Sequence, residues 1–243
     1  MEEAISQPTK ELSFISLEDA LQQSRCPICR VVREHEEGRI WILLYEQTAD
    51  VPLRELFDRS LGFCQYHAYL TISIVREREL MTGSSVARMY ETVVAFYRQA
   101  VQELLKTKQA TRAFRHGRDP LGRLATGECL VCQARHKTLL AEVNALLRML
   151  RYEEYRSAYA KSDGLCNPDL ARAIMKASPE TVQFLLEDHE RRIETLEKRL
   201  VELQRKQSYD VDEAVTTEEQ GSSREAVWRF TGVSWGELLT KRR

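Results

Sequence analysis

Two copies of one cysteine pattern constrain this chain more than any other feature of its sequence. Each copy has a Cys-x2-Cys pair followed by a Gly-x-Cys segment: Cys26, Cys29 and Cys64 in the first, Cys129, Cys132 and Cys166 in the second. The single cysteine follows its pair after 35 residues in the first copy and after 34 in the second. Because chance rarely preserves both spacings, the pattern indicates an internal duplication with about 100 residues per unit.

The start of the chain and its hydropathy favour a cytoplasmic protein with no membrane segment. Acidic residues stand near the amino terminus, where a signal peptide would be basic. The longest apolar run, residues 40–45, is far shorter than the roughly 20 residues that cross a bilayer. Because the cytosol keeps thiols reduced, six cysteines there indicate metal binding or thiol chemistry rather than disulfides.

The first copy of the pattern predicts a zinc site with four ligands: Cys26, Cys29, Cys64 and His67. A Cys-x2-Cys turn directs two sulfurs at one point, and zinc takes four tetrahedral ligands, commonly thiolate and imidazole. Cys64 and His67 are three residues apart, so the first turn of a helix places them on one face. A helix amino terminus also favours the thiolate form of a cysteine.

The second copy predicts a related site with several candidates for its fourth ligand. Cys129, Cys132 and Cys166 repeat the three thiols, but Asp169 stands where His67 stands in the first copy. A carboxylate oxygen can bind zinc, although it is a less common partner for three thiolates. His136, four residues after Cys132, and His189 are alternative ligands, and a vestigial site without metal is a further possibility.

The periodicity of apolar residues predicts an all-α fold. Asp50 and Pro52 predict the start of a short helix, which Gly62 can end in the left-handed conformation. Ser178 and Pro179 predict the start of a long helix that continues to about residue 206. No segment has the strict alternation of a half-buried strand.

Four regions follow from the repeat and its linkers. Residues 1–116 are predicted to form a first zinc-binding helical unit, and 129–208 a second, diverged one, with the long helices packed in a bundle. Gly117, Pro120, Gly122 and Gly127 mark residues 117–128 as the linker between them. Residues 209–243 are predicted to be an acidic tether followed by a short aromatic helix with Trp228 and Phe230, and Trp235 beyond it.

The segments CPICR and GFCQYH, the second CLVC and GLC, and the tryptophan-bearing carboxyl-terminal segment resemble a family of uncharacterised bacterial and archaeal proteins. The resemblance covers most of the chain and implies no established activity. By position, Cys26, Cys29, Cys64 and His67 match the cysteine–histidine pattern of that family, whereas Asp169 replaces the histidine that a symmetrical repeat would carry.

The function expected from these features is that of a structural zinc protein that acts as an interaction, adaptor or regulatory module. Val182, Leu186, His189, Ile193, Leu196, Leu200 and Leu203 follow heptad spacing. They predict either a coiled coil with a protein partner or a second copy, or packing on residues 84–106 of the same chain. Common catalytic motifs are absent, so an enzyme is not expected.

Two other functions remain open from the sequence. A thiol-based redox sensor would release zinc on oxidation. Nucleic-acid binding is the least favoured, because the formal net charge is −1 and the residues after the first Cys-x2-Cys pair are acidic.

Overall fold

The computed structural model describes residues 12–77, 83–107, 119, 121 and 124–232. In these residues the secondary structure consists of helices, without strands, which confirms the all-α prediction. The helices are α1 (Leu12–Leu21), α2 (Pro27–Tyr45), α3 (Val51–Arg59), α4 (Gln65–Glu77), α5 (Gly83–Thr107), α6 (Leu130–Met149), α7 (Glu153–Lys161), α8 (Asn167–Ile174), α9 (Pro179–Lys206) and α10 (Thr217–Thr231). None of the described helices is long and apolar enough to cross a bilayer.

Several helix ends follow from single residues that the sequence singles out. The Asp50 side chain accepts a hydrogen bond from the Leu53 N–H (3.0 Å), and the Ser178 side chain accepts one from the Thr181 N–H (3.3 Å). These are N-caps, which satisfy amide groups that a helix start leaves without partners. Gly62 has φ +89°, so the predicted left-handed conformation after α3 is present.

The described residues form two compact units that do not coincide with the predicted halves 1–116 and 129–208. One unit comprises the described residues of Met1–Arg33 and Leu139–Glu237, and the other comprises those of Glu34–Thr138. We call them the terminal unit and the central unit. Helices α2 and α6 each contribute their first and last turns to different units, so the unit boundaries lie inside helices rather than in the predicted linker 117–128.

Each unit has its own hydrophobic core. The terminal core contains residues of α1, the first turns of α2, the last turns of α6, α7, α8, α9 and α10, with Leu17, Leu146 and Leu185 fully buried. The central core contains residues of α3, α4 and α5 with the last turns of α2, and Phe57 and Leu70 are fully buried there. Burial of these apolar side chains is the main favourable term for folding each unit.

The carboxyl-terminal helix is longer than predicted and packs on the terminal core. α10 begins at Thr217 because a capping box stands before it: the Thr216 side chain accepts from the Glu219 N–H, and Glu219 accepts from the Thr216 N–H. The tether is therefore shorter than predicted. Trp228 is 6% exposed and belongs to the terminal core, whereas Phe230 is 57% exposed. Trp235 lies outside the described residues.

The long helix α9 packs antiparallel to α10. Ion pairs join Lys206 to Glu219 (2.8 Å) and Arg199 to Glu225 (2.7 Å), so the residue numbers of the paired positions run in opposite directions. Within the terminal unit, the antiparallel neighbour of α9 is thus α10. In the predicted heptad seam Leu196 is buried but Leu186 is 46% exposed, and a coiled coil with a partner remains a prediction.

Candidate metal centres

The eight predicted ligands converge in two clusters, but their pairing is exchanged relative to the sequence prediction. One cluster contains Cys64, His67, Cys129 and Cys132, which we call the Cys3His cluster. The other contains Cys26, Cys29, Cys166 and Asp169, which we call the Cys3Asp cluster. All six cysteines are free of disulfides. The expected grouping of Cys26 and Cys29 with Cys64 and His67 must therefore be corrected, as must that of Cys129 and Cys132 with Cys166 and Asp169.

The two cores explain the exchange. Cys26 and Cys29 stand at the first turn of α2, and that turn belongs to the terminal core with Cys166. The helix continues for about four turns beyond Cys29. Its last turns, which include Leu43, pack in the central core together with Phe63, the residue before Cys64. Each Cys-x2-Cys pair therefore meets the Cys-x2-His or Cys-x2-Asp segment from the other copy of the cysteine pattern.

The distances in the Cys3His cluster are close to those of four ligands around one metal ion. The Cys64 and Cys132 sulfurs are 3.5 Å apart, and His67 Nδ1 lies 3.2, 3.6 and 3.4 Å from the sulfurs of Cys64, Cys129 and Cys132. Zinc bond lengths at tetrahedral angles give edges of about 3.8 Å between two sulfurs and about 3.6 Å between sulfur and nitrogen. All four ligand atoms lie within 4.8 Å of one another.

A buried carboxylate orients the histidine of this cluster. Glu36 Oε1 is 3.3 Å from His67 Nε2, so Nε2 carries a proton for Glu36 and Nδ1 faces the sulfurs. Glu36 also accepts from Arg135 Nε (2.8 Å) and from the Tyr66 hydroxyl (3.1 Å). A carboxylate behind a histidine fixes the ring and makes it a stronger metal ligand. Sequence reasoning treated Glu36 only as a negative charge and missed this role.

Glu36 nevertheless leaves a signal in the sequence. It stands between Val32 and Ile40 at helical spacing, so it interrupts the apolar stripe that α2 buries. Its side chain is 2% exposed. Because an isolated carboxylate is costly to bury, such a residue in an apolar stripe indicates a specific partner.

The electrostatics of the Cys3His cluster favour a thiolate beside the histidine. Burial raises the pKa of the Cys129 thiol, but hydrogen bonds from His67 and from backbone N–H groups outweigh it and lower the pKa to about 6. Burial lowers the pKa of His67, but Cys129 and Glu36 raise it to about 9. A thiolate–imidazolium pair is thus stable in the folded chain, and a metal ion that displaces the proton from Nδ1 finds the thiolate already formed.

In the Cys3Asp cluster a single carboxylate oxygen lies at similar distances from three sulfurs. Asp169 Oδ2 is 3.4, 3.1 and 3.2 Å from the sulfurs of Cys26, Cys29 and Cys166, and the sulfurs of Cys29 and Cys166 are 3.6 Å apart. Its other oxygen, Oδ1, accepts from Arg172 Nη1 at 3.0 Å. Asp169 therefore presents one oxygen as a ligand, and Arg172 holds the carboxylate in that orientation.

Acidic and sulfur groups crowd this cluster. The neighbouring Cys26 and Cys29 thiols donate to Cys166 and lower its pKa to about 3. Burial and the nearby Cys166 thiolate raise the pKa of Asp169 to about 6. Burial raises the pKa of Cys26, and the Cys166 thiolate raises that of Cys29. One thiolate is therefore shared among protonated neighbours, and a divalent cation would replace those protons.

Equivalent turns build the two clusters. Gly62 and Gly164 both have positive φ (+89° and +69°), two residues before Cys64 and Cys166. The N–H after each glycine donates to a tyrosine hydroxyl at 3.2 Å: that of Phe63 to Tyr90, and that of Leu165 to Tyr159. Tyr90 lies later in the chain than its turn and Tyr159 earlier, so unrelated positions supply the same support.

The two alternative histidines stand outside both clusters. His136 is exposed on α6, and His189 is partly buried on α9, where burial lowers its pKa. Among the described residues, the groups able to hold a metal ion are the two clusters above. Among the candidates for the fourth ligand of the second predicted site, Asp169 is therefore the residue that lies beside Cys166.

Comparison with known proteins identifies one family. No curated protein and no solved structure matches the chain. The sequence profile of DUF6062, a family of unknown function, matches residues 9–229, which include all eight cluster residues and all ten described helices up to Arg229 of α10. The chain therefore belongs to the DUF6062 family.

Proposed function

We propose that the protein binds two zinc ions, one in each cluster, and that the metal-stabilised helices serve as an interaction module. The observation that carries the proposal is the convergence of eight ligand atoms into two groups with the dimensions of tetrahedral sites. Three thiolates select zinc among abundant divalent cations, because oxygen-preferring ions such as magnesium bind sulfur poorly.

The ions would be structural. Each cluster uses four protein ligands and leaves no position for a substrate or a reactive water, as in closed zinc sites. Each also joins segments far apart in the sequence, since Cys26 and Cys166 are separated by 140 residues. Metal binding then contributes of order 10 kcal/mol to folding.

The test is metal analysis followed by chelation. Purified protein is expected to hold two zinc ions per chain, and a strong chelator is expected to remove them with loss of most helical circular dichroism. Readdition of zinc should restore the spectrum, whereas magnesium at the same concentration should not. Protein with no bound transition metal, or an unchanged helical spectrum after complete zinc removal, would contradict the proposal.

The interaction part of the proposal is supported by an apolar stripe on α5. Val94, Tyr97 and Leu105 are 62%, 38% and 70% exposed and follow helical spacing. An apolar helix face of this kind is typical of helix-in-groove or helix-pairing partners. Sedimentation of the zinc-loaded chain would separate self-association from binding to another protein, and Leu105→Ser should weaken whichever association occurs.

One observation favours a redox sensor as a second candidate. The sulfurs of Cys29 and Cys166 are 3.6 Å apart, and a disulfide needs about 2.05 Å, so a small movement joins them. Two thiolates would give two electrons to hydrogen peroxide, which takes up two protons and leaves as two waters, and zinc would depart. Zinc release that parallels loss of these two thiols at low peroxide would support this function, and thiols that remain reduced would exclude it.

A further inference from the structure

Gly232, which caps the end of α10, lies against the Cys3Asp cluster. A Cβ on Gly232 would be 3.5 Å from the sulfur of Cys29 and 3.7 Å from that of Cys166. Gly232 has φ +81° and ψ −132°, a conformation that strongly favours glycine. Cys29 is partly buried, whereas the other three ligands of the cluster are buried. The backbone at Gly232 therefore covers the most accessible sulfur of the cluster.

Hydrogen bonds also connect α10 to the two segments that carry the cysteines. Arg229 Nη2 donates to the backbone carbonyl of Asp163 (3.2 Å), which lies three residues before Cys166. The side chain of Asp163 accepts from the N–H of Arg25 (2.5 Å), which directly precedes Cys26. Because one aspartate bonds both to α10 and to the first ligand segment, the last turn of α10 is joined to both ligand segments.

α10 is attached to the terminal unit mainly by polar contacts. In the part of the chain that the structure describes, Trp228 is the residue of α10 that belongs to the terminal core. The other buried residues of the helix, Glu219, Ser222 and Arg229, are polar. A single helix of 15 residues is marginally stable in water. Because segments with few buried apolar contacts open at a lower free energy than the core, α10 is expected to lift while the rest of the terminal unit stays folded.

We propose that α10 is a lid over the Cys3Asp cluster, and that the cluster exchanges its metal ion when this lid opens. With α10 in place, Gly232 lies beside the Cys29 sulfur and keeps a competing chelator from it. When α10 lifts, Cys29 becomes accessible, and the segment before Cys166 loses its hydrogen bond from Arg229. The inference rests on the proposed binding of zinc by this cluster, and it adds how the protein controls the release of that zinc.

The first test displaces α10 at a point distant from the cluster. Ser222 is fully buried on α10, ten residues before Gly232, which is about 15 Å along the helix. Ser222→Leu adds volume at a closely packed position, so it should raise the population of the open lid about tenfold. Hydrogen exchange of residues 217–231 should accelerate by that factor, and so should zinc release from the Cys3Asp cluster to a chromogenic chelator.

Zinc release from the two clusters can be distinguished in the full chain. Cys166→Ser and Cys64→Ser should each lack one phase of release, which assigns the phases to the clusters. The phase from the Cys3His cluster should keep its rate in Ser222→Leu, because that cluster lies in the central unit. Ser223→Leu, at the exposed neighbouring position, is the matched control and should change neither the release of zinc nor the exchange of α10.

Gly232→Ala is the second variant, at the contact with the cluster itself. A Cβ at a position with positive φ should displace the end of α10 and again accelerate zinc release from the Cys3Asp cluster and exchange of α10 by about tenfold. Gly221→Ala is the matched control on the same helix, because a Cβ there would meet no atom within 4 Å. This control should accelerate neither process.

The inference would be overturned if zinc release from the Cys3Asp cluster kept its rate while exchange of α10 accelerated, because the metal would then leave without the lid opening. Equal acceleration of release from both clusters would also overturn it, since the whole chain would then be destabilised. So would unchanged exchange of α10 in both variants, because α10 would not be a separately opening segment. A purified chain that holds no zinc would instead contradict the proposed function.

Discussion

The Cys3His and Cys3Asp clusters each have three thiols and a fourth ligand on the first turn of a helix. They differ in how that fourth ligand is held in place. His67 is neutral as a ligand and receives its orientation from buried Glu36, which Arg135 in turn neutralises. Asp169 is itself charged and receives its orientation from Arg172, whose side chain is 41% exposed. With zinc, the formal charges would be −1 and −2. The difference is that a cation lies directly behind Asp169, whereas a carboxylate lies between His67 and its cation.

The difference also predicts unequal metal affinity. A more negative, buried complex is more costly to desolvate, and Arg172 compensates only from a partly exposed position. In the Cys3His cluster the ligand itself is neutral, and the charge pair of Glu36 (side chain 2% exposed) with Arg135 (45% exposed) lies behind it. We therefore expect the Cys3Asp cluster to lose zinc first under chelation.

The largest expected effect comes from removing one ligand of either cluster. Cys64→Ser and Cys166→Ser should each reduce zinc content by one ion, and each should destabilise its own unit by several kcal/mol, up to the order of 10 kcal/mol of a structural site. Hydrogen exchange should show faster exchange in the central unit for Cys64→Ser and in the terminal unit for Cys166→Ser. Gln102→Ala, exposed on α5, is the control and should change neither quantity.

The glycines before the two clusters test whether their turns are equally constrained. A Cβ at Gly62 would lie 2.7 Å from the Tyr90 ring, and one at Gly164 would lie 2.7 Å from Arg192 Nε. Together with positive φ, either alanine should destabilise the chain by about 2–5 kcal/mol. Gly62→Ala should have the larger effect, because an aromatic ring yields less than an arginine side chain.

Gly38→Ala is the matched control for these two substitutions. Gly38 lies inside α2, and a Cβ there would meet no atom within 4 Å. Alanine should therefore stabilise the chain by about 0.5–1 kcal/mol. Denaturant unfolding measures all three variants, and a neutral Gly62→Ala would show that the turn before Cys64 is not built as described.

The residues behind the fourth ligands have a smaller expected effect. Glu36→Gln should lower the zinc affinity of the Cys3His cluster by about 10–100-fold, as usual for a partner that orients a metal ligand. Arg172→Gln should lower that of the Cys3Asp cluster by less, because Arg172 is more exposed. Chelator competition with cobalt in place of zinc would resolve the two sites.

A surface ion pair supplies the control for the affinity measurement. Glu194→Gln breaks the exposed pair with Lys198 and should leave both affinities unchanged. If Glu36→Gln also left the affinity of the Cys3His cluster unchanged, the proposed contrast between the two clusters would lose its basis.

The smallest expected effect concerns the two supporting tyrosines. Tyr159→Phe should cost about 1–3 kcal/mol, because the Leu165 N–H is left buried without its acceptor. Tyr90→Phe should cost about 1 kcal/mol, since Tyr90 is only partly buried. Thermal unfolding would measure both against Tyr209→Phe, a fully exposed position that should be neutral. An equal loss of stability in Tyr159→Phe and Tyr90→Phe would contradict the difference in burial between the two turns.

The helical fold, several caps and the ligand types were predictable because each depends on neighbours in sequence. Asp50 and Ser178 each cap the helix that begins at the next residue. Gly62 adopts the left-handed conformation shortly after the end of α3. Helices α1 and α7 were not predicted. α10 was predicted too short, although the Thr216 and Glu219 capping box was visible in the sequence.

The pairing of ligands could not be predicted because it depends on which core each helix end joins. The cysteine pattern fixes the spacing of the ligands within each segment. Either Cys-x2-Cys pair could nevertheless form a four-ligand cluster with either the Cys-x2-His or the Cys-x2-Asp segment. Which segment each pair meets follows from apolar packing. Leu43, near the end of α2, belongs to the central core, whereas Cys26, at its start, belongs to the terminal core. The spacing of the two copies of the cysteine pattern carries no information on that choice.

Zinc content of two double variants tests the exchanged pairing most directly. Cys26→Ser with Cys64→Ser removes one ligand from each cluster, so this protein should retain no tightly bound zinc. Cys26→Ser with Cys166→Ser removes two ligands from the Cys3Asp cluster alone, so one zinc ion per chain should remain. The reverse result, with one ion retained in the first variant and none in the second, would mean that each Cys-x2-Cys pair binds metal with its own repeat.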